Sequence, residues 1–231
     1  FADANGGVKA RQAVCTAIDY PSIVQGSGFG ITSQTQNPFP KSSPWHSDYT
    51  PYDYAAKPEK AKQMFEESGV GTDITIEIRT NNAYPSHQSA AKIVQQNLRQ
   101  AGVGANLQLS DWATQLQIEG DGKYDLAVNG WPAFISPDAF LYSIFHSEGG
   151  FNTMGYSNDE LDSLLEEGRT EQDTEKRKEI YGDAQEIIVD ELPYIFLQHW
   201  PHTEAYRKNI EGRENHPFNY LGWNWKDVRE V

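Results

Sequence analysis

Long apolar runs, cysteine and positive charge are all scarce in this 231-residue chain. No apolar stretch approaches the roughly 20 residues that a helix needs to cross a bilayer, and no signal peptide opens the chain. The beginning, FADANGGVKA, has no Met and no evident folded start, so it reads as an excised or mature segment. Cysteine occurs once, at Cys15, which excludes an internal disulfide. With Val14 and Ile18 beside it at helical spacing, Cys15 reads as a small core residue and not as a nucleophile. Lys and Arg total 19 against 33 Asp and Glu, a net charge of −14. That balance repels phosphates and anionic headgroups, and so argues against nucleic acid and membrane surfaces as partners. An acidic surface suits salty or extracellular fluid, although its commoner meaning is a well-solvated exterior.

The motifs of catalysis are equally thin. There is no GxSxG elbow, and Cys15 has no evident helper His. His199 and His202 stand three apart, but Pro201 between them breaks any HExxH-like helix, so no metal site is expected. GSGFG, at 26–30, leads into the polar ITSQTQ and then a proline-rich stretch instead of opening a helix after a strand. It reads as a turn and not as a phosphate loop. The acidic pairs Glu119 with Asp121 and Asp159 with Glu160 fall in helical or turn contexts that read as solvent faces. No cofactor is implied.

What the chain does have is aromatic side chains, 12% of residues with six Trp, and a regular rhythm of elements. Apolar spacing predicts a helix over Val8–Asp19, broken by Pro21. An aromatic- and proline-rich loop, Asn37–Tyr54, follows; Phe39, Trp45 and Tyr49 in it are candidates to reach a ligand, or simply to cover the flank. A helix starts at Pro58 and closes at Gly69. Ile74, Ile76 and Ile78 alternate as a half-buried strand, and Ser86–Ala101 is an amphipathic helix ended by Gly102. Asn106–Leu109 is a second strand, with Ser110 placed to cap the helix DWATQLQIE. Asp125–Asn129 is a third. Ser157 and Glu160 fit a capping box before NDELDSLLEEGR, and Asp173 starts another helix. After Pro193, YIFLQH reads as a buried strand. Strand and helix alternating in this way indicate βαβ units and a largely parallel sheet.

The centre of this arrangement is YDLAVNGWPAFISPD, residues 124–138. A short apolar strand stops at Gly130, Trp131 follows at once, and a Pro-bracketed loop leads to a helix near Pro137. Open α/β sheets bind ligands where strand ends give way to loops. Trp131 is delivered to such a place with no acid, base or metal ligand beside it, which favours a binding wall over a reaction centre.

The order of these motifs resembles the second lobe of family 5 solute-binding proteins, the peptide, oligopeptide and nickel receptors of ABC importers. The resemblance rests on RQAVCTAID, PEKAKQMFEESG, LRQAGV, YDLAVNGW, FNTMGYSNDELDSLLEEGR and ELPYIFLQH, and spans Val8–Gly212. It implies an α/β, periplasmic-binding-protein-like (type II) lobe with a mostly parallel sheet flanked by helices. Residues 1–212 would form the carboxy-terminal ligand-binding lobe, and residues 213–231 a hinge or return segment toward an amino-terminal lobe not present in this chain. The implied function is capture of a small solute, such as an oligopeptide, between two hinged lobes and its delivery to a membrane permease. The implied location is extracytoplasmic, in the periplasm or lipid-anchored on the outer face of the cell membrane. A saccharide or peptide hydrolase and a non-transporting sensor of the same fold are the alternatives.

In peptide-binding members the loop after the GW pair carries an Asp, three residues past the Trp, that meets the ligand's α-amine. Phe134 stands there in this chain, which removes a charge-assisted hydrogen bond worth about 1.5–3 kcal/mol. Asp138 is close in sequence but is placed to cap the next helix. The expected ligand contacts are therefore Trp131 and Phe134 as a stacking wall for an apolar or sugar-like group, Asn129 and the backbone of Pro132 and Ala133 for alignment, and Asn152 as a further polar contact.

Overall fold

The computed structural model describes residues 7–132, 136–203, 205, 207–212 and 229–230. The order of elements is α1 (Gly7–Ala17), α2 (Tyr20–Gly26), β1 (Ser33–Gln34), α3 (Pro58–Glu67), β2 (Thr75–Asn81), α4 (Pro85–Gln100), β3 (Gly104–Ser110), α5 (Trp112–Gly120), β4 (Leu126–Ala127), α6 (Pro137–Phe145), α7 (Asp159–Thr170), α8 (Thr174–Glu191), β5 (Gln198–His199), β6 (Ile210–Glu211) and β7 (Arg229–Glu230).

The expected βαβ rhythm produces a three-stranded sheet in the order β3-β2-β4, parallel throughout. β2 is its middle strand because Ile76, Ile78 and Thr80 are buried, and it pairs along its whole length with β3, Thr75 against Gly104 through Asn81 against Ser110. β4 is shorter than the apolar run that predicts it, pairing only at Ile78–Leu126 and Arg79–Ala127. Its pairing is extended by side chains: Asp125 accepts from Glu77 N–H at 2.8 Å, and the Thr80 hydroxyl donates to the Val128 carbonyl at 2.8 Å.

Two apolar clusters result. One lies around the sheet and is mostly aliphatic: Ala13, Val14, Ile18 and Ile23 from α1 and its successor, Ile76 and Ile78, Val94 and Leu98. Cys15 belongs to it, fully buried with its Sγ 3.4 Å from the Tyr20 hydroxyl, and burial pushes its thiol up to about 11. That accords with a core residue. The other cluster lies among α6, α7 and α8 and is rich in aromatic rings: Phe39, Phe140, Phe145 and Tyr181 with Leu141, Leu161 and Ile188.

Several local expectations are corrected. Pro21 does not end helical structure; it sits in the first turn of α2, where its missing N–H is no loss. Asp111, not Ser110, caps α5, accepting from Thr114 N–H. Asn158, not Ser157, caps α7, accepting from the N–H groups of Glu160 and Leu161. Asp173 does cap α8. Asp138 does not cap α6, whose N-cap is Ser136; its carboxylate pairs with Arg169 of α7 at 2.9 Å.

YIFLQH is not a buried sheet strand. Only Gln198 and His199 pair, antiparallel to Gln34 and Ser33. The residues before them alternate for a different reason: Ile195 and Leu197 pack on the sheet core, while Tyr194 and Phe196 pack on the helical core. An extended backbone sends successive side chains to opposite sides, and here each side meets a different core.

The aromatic loop of 37–54 covers the flank. Phe39 is buried edge-on to Phe140, Trp45 lies edge-on to Tyr181, and the Tyr49 hydroxyl donates to Asp190 at 2.7 Å. Among the described residues no helix is long and apolar enough to cross a membrane.

Candidate functional site

The sheet topology decides where a site can be. The loop after β2 leads toward α4 and β3 on one flank, while the loop after β4, on the other flank, leaves for α6. Neighbouring parallel strands whose connections depart in opposite directions open the sheet at their carboxyl ends. The residues gathered there are mainly aromatic.

Trp131 is 36% exposed, Tyr84 49%, Trp112 37% and Phe151 52%. Trp131 stands edge-on to Phe151 with ring centroids 5.3 Å apart, and Tyr84 meets Trp112 edge-on at 5.5 Å. Tyr84 also lies 5.0 Å from the His87 ring. The two pairs are neighbours, because a Cβ placed on Gly130 would fall 2.9 Å from His87 Nε2. Glycine at 130 is therefore what lets the strand end lie against the imidazole. The two groups, Trp112–Tyr84–His87 and Trp131–Phe151, make up an aromatic band that is joined where Gly130 meets His87.

The indole of Trp131 is exposed and packs edge-on against Phe151. It also acts on the phenol of Tyr194, on the segment between the two cores, opposing the effect of burial there. Burial holds the Tyr194 phenol well above its ordinary range, so it stays neutral.

Among the other expected contacts, Asn129 is half-buried and its side chain is engaged locally. Its Oδ1 accepts from Gly130 N–H at 2.9 Å and its Nδ2 donates to Glu119. Pro132 is exposed beside the indole. Ala133 and Phe134 lie outside the described residues. Asn152 has its amide turned to its own loop, donating to the carbonyls of His146 at 3.1 Å and Tyr156 at 2.7 Å and accepting from Tyr156 N–H. That clasp sets the position of Phe151, whose N–H donates to the Ser143 carbonyl at 2.8 Å.

Tyr84, His87, Trp112, Phe151, Glu119 and Tyr194 were not expected at the site. A signal existed for two of them: Tyr84 in the loop directly after one strand, Trp112 directly after the next. The same argument that singles out Trp131 applies to both.

Burial lowers the affinity of His87 for a proton, and Asn81 Nδ2 lies 3.1 Å from its Nδ1. His199 bonds the carbonyl of Asn37 at 3.0 Å, and its proton affinity is likewise lowered by burial. His202 is exposed, and among the described residues no group of three metal-ligating side chains occurs. The recess bounded by Thr16, Tyr52, Asp53 and Lys57 holds about 30 Å³, room for little more than a water. The aromatic band, by contrast, is an open face.

Residues 1–152 match the family described as bacterial extracellular solute-binding proteins, family 5 Middle. The chain is 28% identical over 230 residues to the oligopeptide-binding protein AppA of Bacillus subtilis, covering 90% of this chain and 41% of that protein. It is 29% identical over 222 residues to heme-binding protein A of Haemophilus influenzae, covering 92% and 40%. The solved structure of HbpA2 from Haemophilus parasuis superposes with a TM-score of 0.84 at 25% identity, covering 99% of this chain and 46% of that one. This chain therefore spans about two fifths of the length of the curated relatives it matches.

Proposed function

Because the chain belongs to the bacterial extracellular solute-binding proteins of family 5, we propose that it is the carboxy-terminal ligand-binding lobe of the substrate-binding component of an ABC importer. The observation that carries this reading is the exposed, immobilised aromatic band at the carboxyl end of the parallel sheet, centred on Trp131. A ring held by an edge contact, yet open on part of its surface, is preorganised to stack on a solute without reacting with it. Relatives named for oligopeptide and for heme both match, so the ligand class here is a small solute with an apolar or planar part, peptides included.

In this reading Trp131 is the wall, with Phe134 beside it in sequence. The backbone of Pro132 and Ala133 aligns the solute, Asn129 acts through Glu119, and Asn152 acts by holding Phe151. Residues 1–212 form the lobe. Residues 213–231 are the return toward the other lobe. The complete protein works outside the cytoplasm, in the periplasm or tethered by lipid to the outer face of the cell membrane. It hands its solute to a permease after hinge closure.

The test is a thermal-shift screen of the full-length protein against peptides, sugars and porphyrins, with recovery of the ligand afterwards. Stabilisation with the ligand recovered intact, and loss of uptake of that ligand on deleting the gene, supports the receptor. Turnover of the ligand would instead indicate a hydrolase, and binding without an uptake defect a sensor.

A further inference from the structure

The loop that follows β4 has no acidic residue from Leu126 to Pro137, so any negative charge at the aromatic band must come from elsewhere. It comes from Glu119, near the end of α5. Asn129 Nδ2 reaches both oxygens of this carboxylate, at 3.2 and 3.0 Å. The amide of the fully buried Gln115 donates to Oε1 at 2.7 Å, and Gln115 is itself fixed by the Ser110 hydroxyl, 3.0 Å from its own carbonyl oxygen.

Among the described residues, both donors to Glu119 are neutral. Among the described residues no Lys, Arg or His forms an ion pair with it, whereas Asp121, two residues on, is paired with Lys123. Glu119 is half-buried. A carboxylate partly withdrawn from water and met only by uncharged amides keeps an unmatched charge that a cation would stabilise.

The Asn129 contact brings that charge close to the band. Asn129, which orients it, stands two residues before Trp131. The Glu119 charge is also the last of the influences, behind burial, that act on the Tyr194 and Tyr124 phenols.

We propose that Glu119, preset by Asn129 and Gln115, is the charge anchor of this lobe and selects solutes that place a cationic amine beside the Trp131 ring. The inference rests on the receptor reading above. A carboxylate next to an aromatic ring is a favourable combination for an ammonium group, since the ring's electron-rich face adds to the ion pair. The amine can belong to a peptide or to an amino sugar; the shared chemistry is the positive nitrogen.

The experiment uses the full-length protein and probes that differ only in acetylation of one amine. These are a pool of tri- to pentapeptides with its N-acetylated counterpart, and glucosamine with N-acetylglucosamine. Protein-bound probes are separated by gel filtration and quantified by mass spectrometry. The wild-type protein should retain one free-amine class about ten- to a hundredfold better than its acetylated partner, the range expected for a lost charge-assisted hydrogen bond. The class retained tells peptide from amino sugar. Glu119→Gln should bring the pair to within about twofold, and Glu119→Asp should keep part of the preference.

Equal retention of free and acetylated probes by the wild type overturns the anchor while leaving the receptor intact, and so does a preference that survives in Glu119→Gln. The wild-type comparison does not depend on the variants folding. If neither free nor acetylated probes are retained, the receptor reading fails for these solutes and the anchor fails with it.

Discussion

The sheet core and the helical core of this lobe are built from different materials. Around β2 the packing is aliphatic and nearly contiguous in sequence, with Ile76, Ile78, Val94 and Leu98 supplied by one βαβ unit. Among α6, α7 and α8 it is aromatic and assembled from distant segments, so that Phe39 meets Phe140 and Phe145 meets Tyr194. Trp131 stands on the chain that passes from one to the other, and the Tyr194–Leu197 segment that anchors it faces both. The site is thus fixed by a seam, and the seam's rigidity depends on both cores.

The largest expected effect comes from emptying the aromatic core. Phe145→Ala should cost about 3–5 kcal/mol in chemical denaturation, compared with about 2–5 kcal/mol for Ile78→Ala in the sheet. If the seam couples the cores, each variant unfolds in one transition seen equally by tryptophan fluorescence and circular dichroism. Two separated transitions would break the comparison into independent halves.

Overpacking is a milder probe of the same core. A Cβ on Gly168 would fall 2.7 Å from the Tyr181 ring between α7 and α8, so Gly168→Ala should cost about 1–3 kcal/mol. The seam itself is addressed by Tyr194→Phe, which removes the hydroxyl that interacts with the Trp131 indole. A loss of about 1 kcal/mol and a shifted tryptophan emission are expected, whereas unchanged emission would mean that the indole is held by Phe151 alone.

The smallest effect concerns pH. His87 at the band and His199 beside the aromatic loop both have proton affinities lowered by burial. Each is neutral in the fold and binds a proton more readily when unfolded. Stability should therefore be fully present above the ordinary imidazole value of about 6.5 and decline as pH falls through it. Denaturation midpoints between pH 8 and pH 5 check this, and His87→Gln should flatten part of the slope.

The contrast between the cores also explains what the sequence could show. Period-two isoleucines and a clean amphipathic helix announce β2 and α4, because their burial is set by near neighbours. The aromatic core is invisible by periodicity, since Phe39 meets Phe140 and Tyr194 meets Phe145, partners far away along the chain. YIFLQH looked like a buried strand because alternation between two cores and burial of both faces in a sheet leave the same apolar run. The caps were off by one residue at Asp111 and Asn158 because Ser, Asp and Asn stand side by side, and only backbone geometry chooses among them. In the proposed site, the strand that precedes Trp131 points to that residue. Nothing in the sequence points to Glu119, because the contact that singles it out comes from Asn129 on another element.

The role proposed for the Trp131 ring is that of a preset contact surface outside the core. Trp131→Ala in the full-length protein, assayed by calorimetric titration with whichever solute the screen returns, tests it most directly. Affinity should fall about ten- to a hundredfold, as for an aromatic anchor at a binding centre, while unfolding free energy changes by no more than about 1 kcal/mol. Unchanged affinity, or a protein that no longer folds, would contradict it.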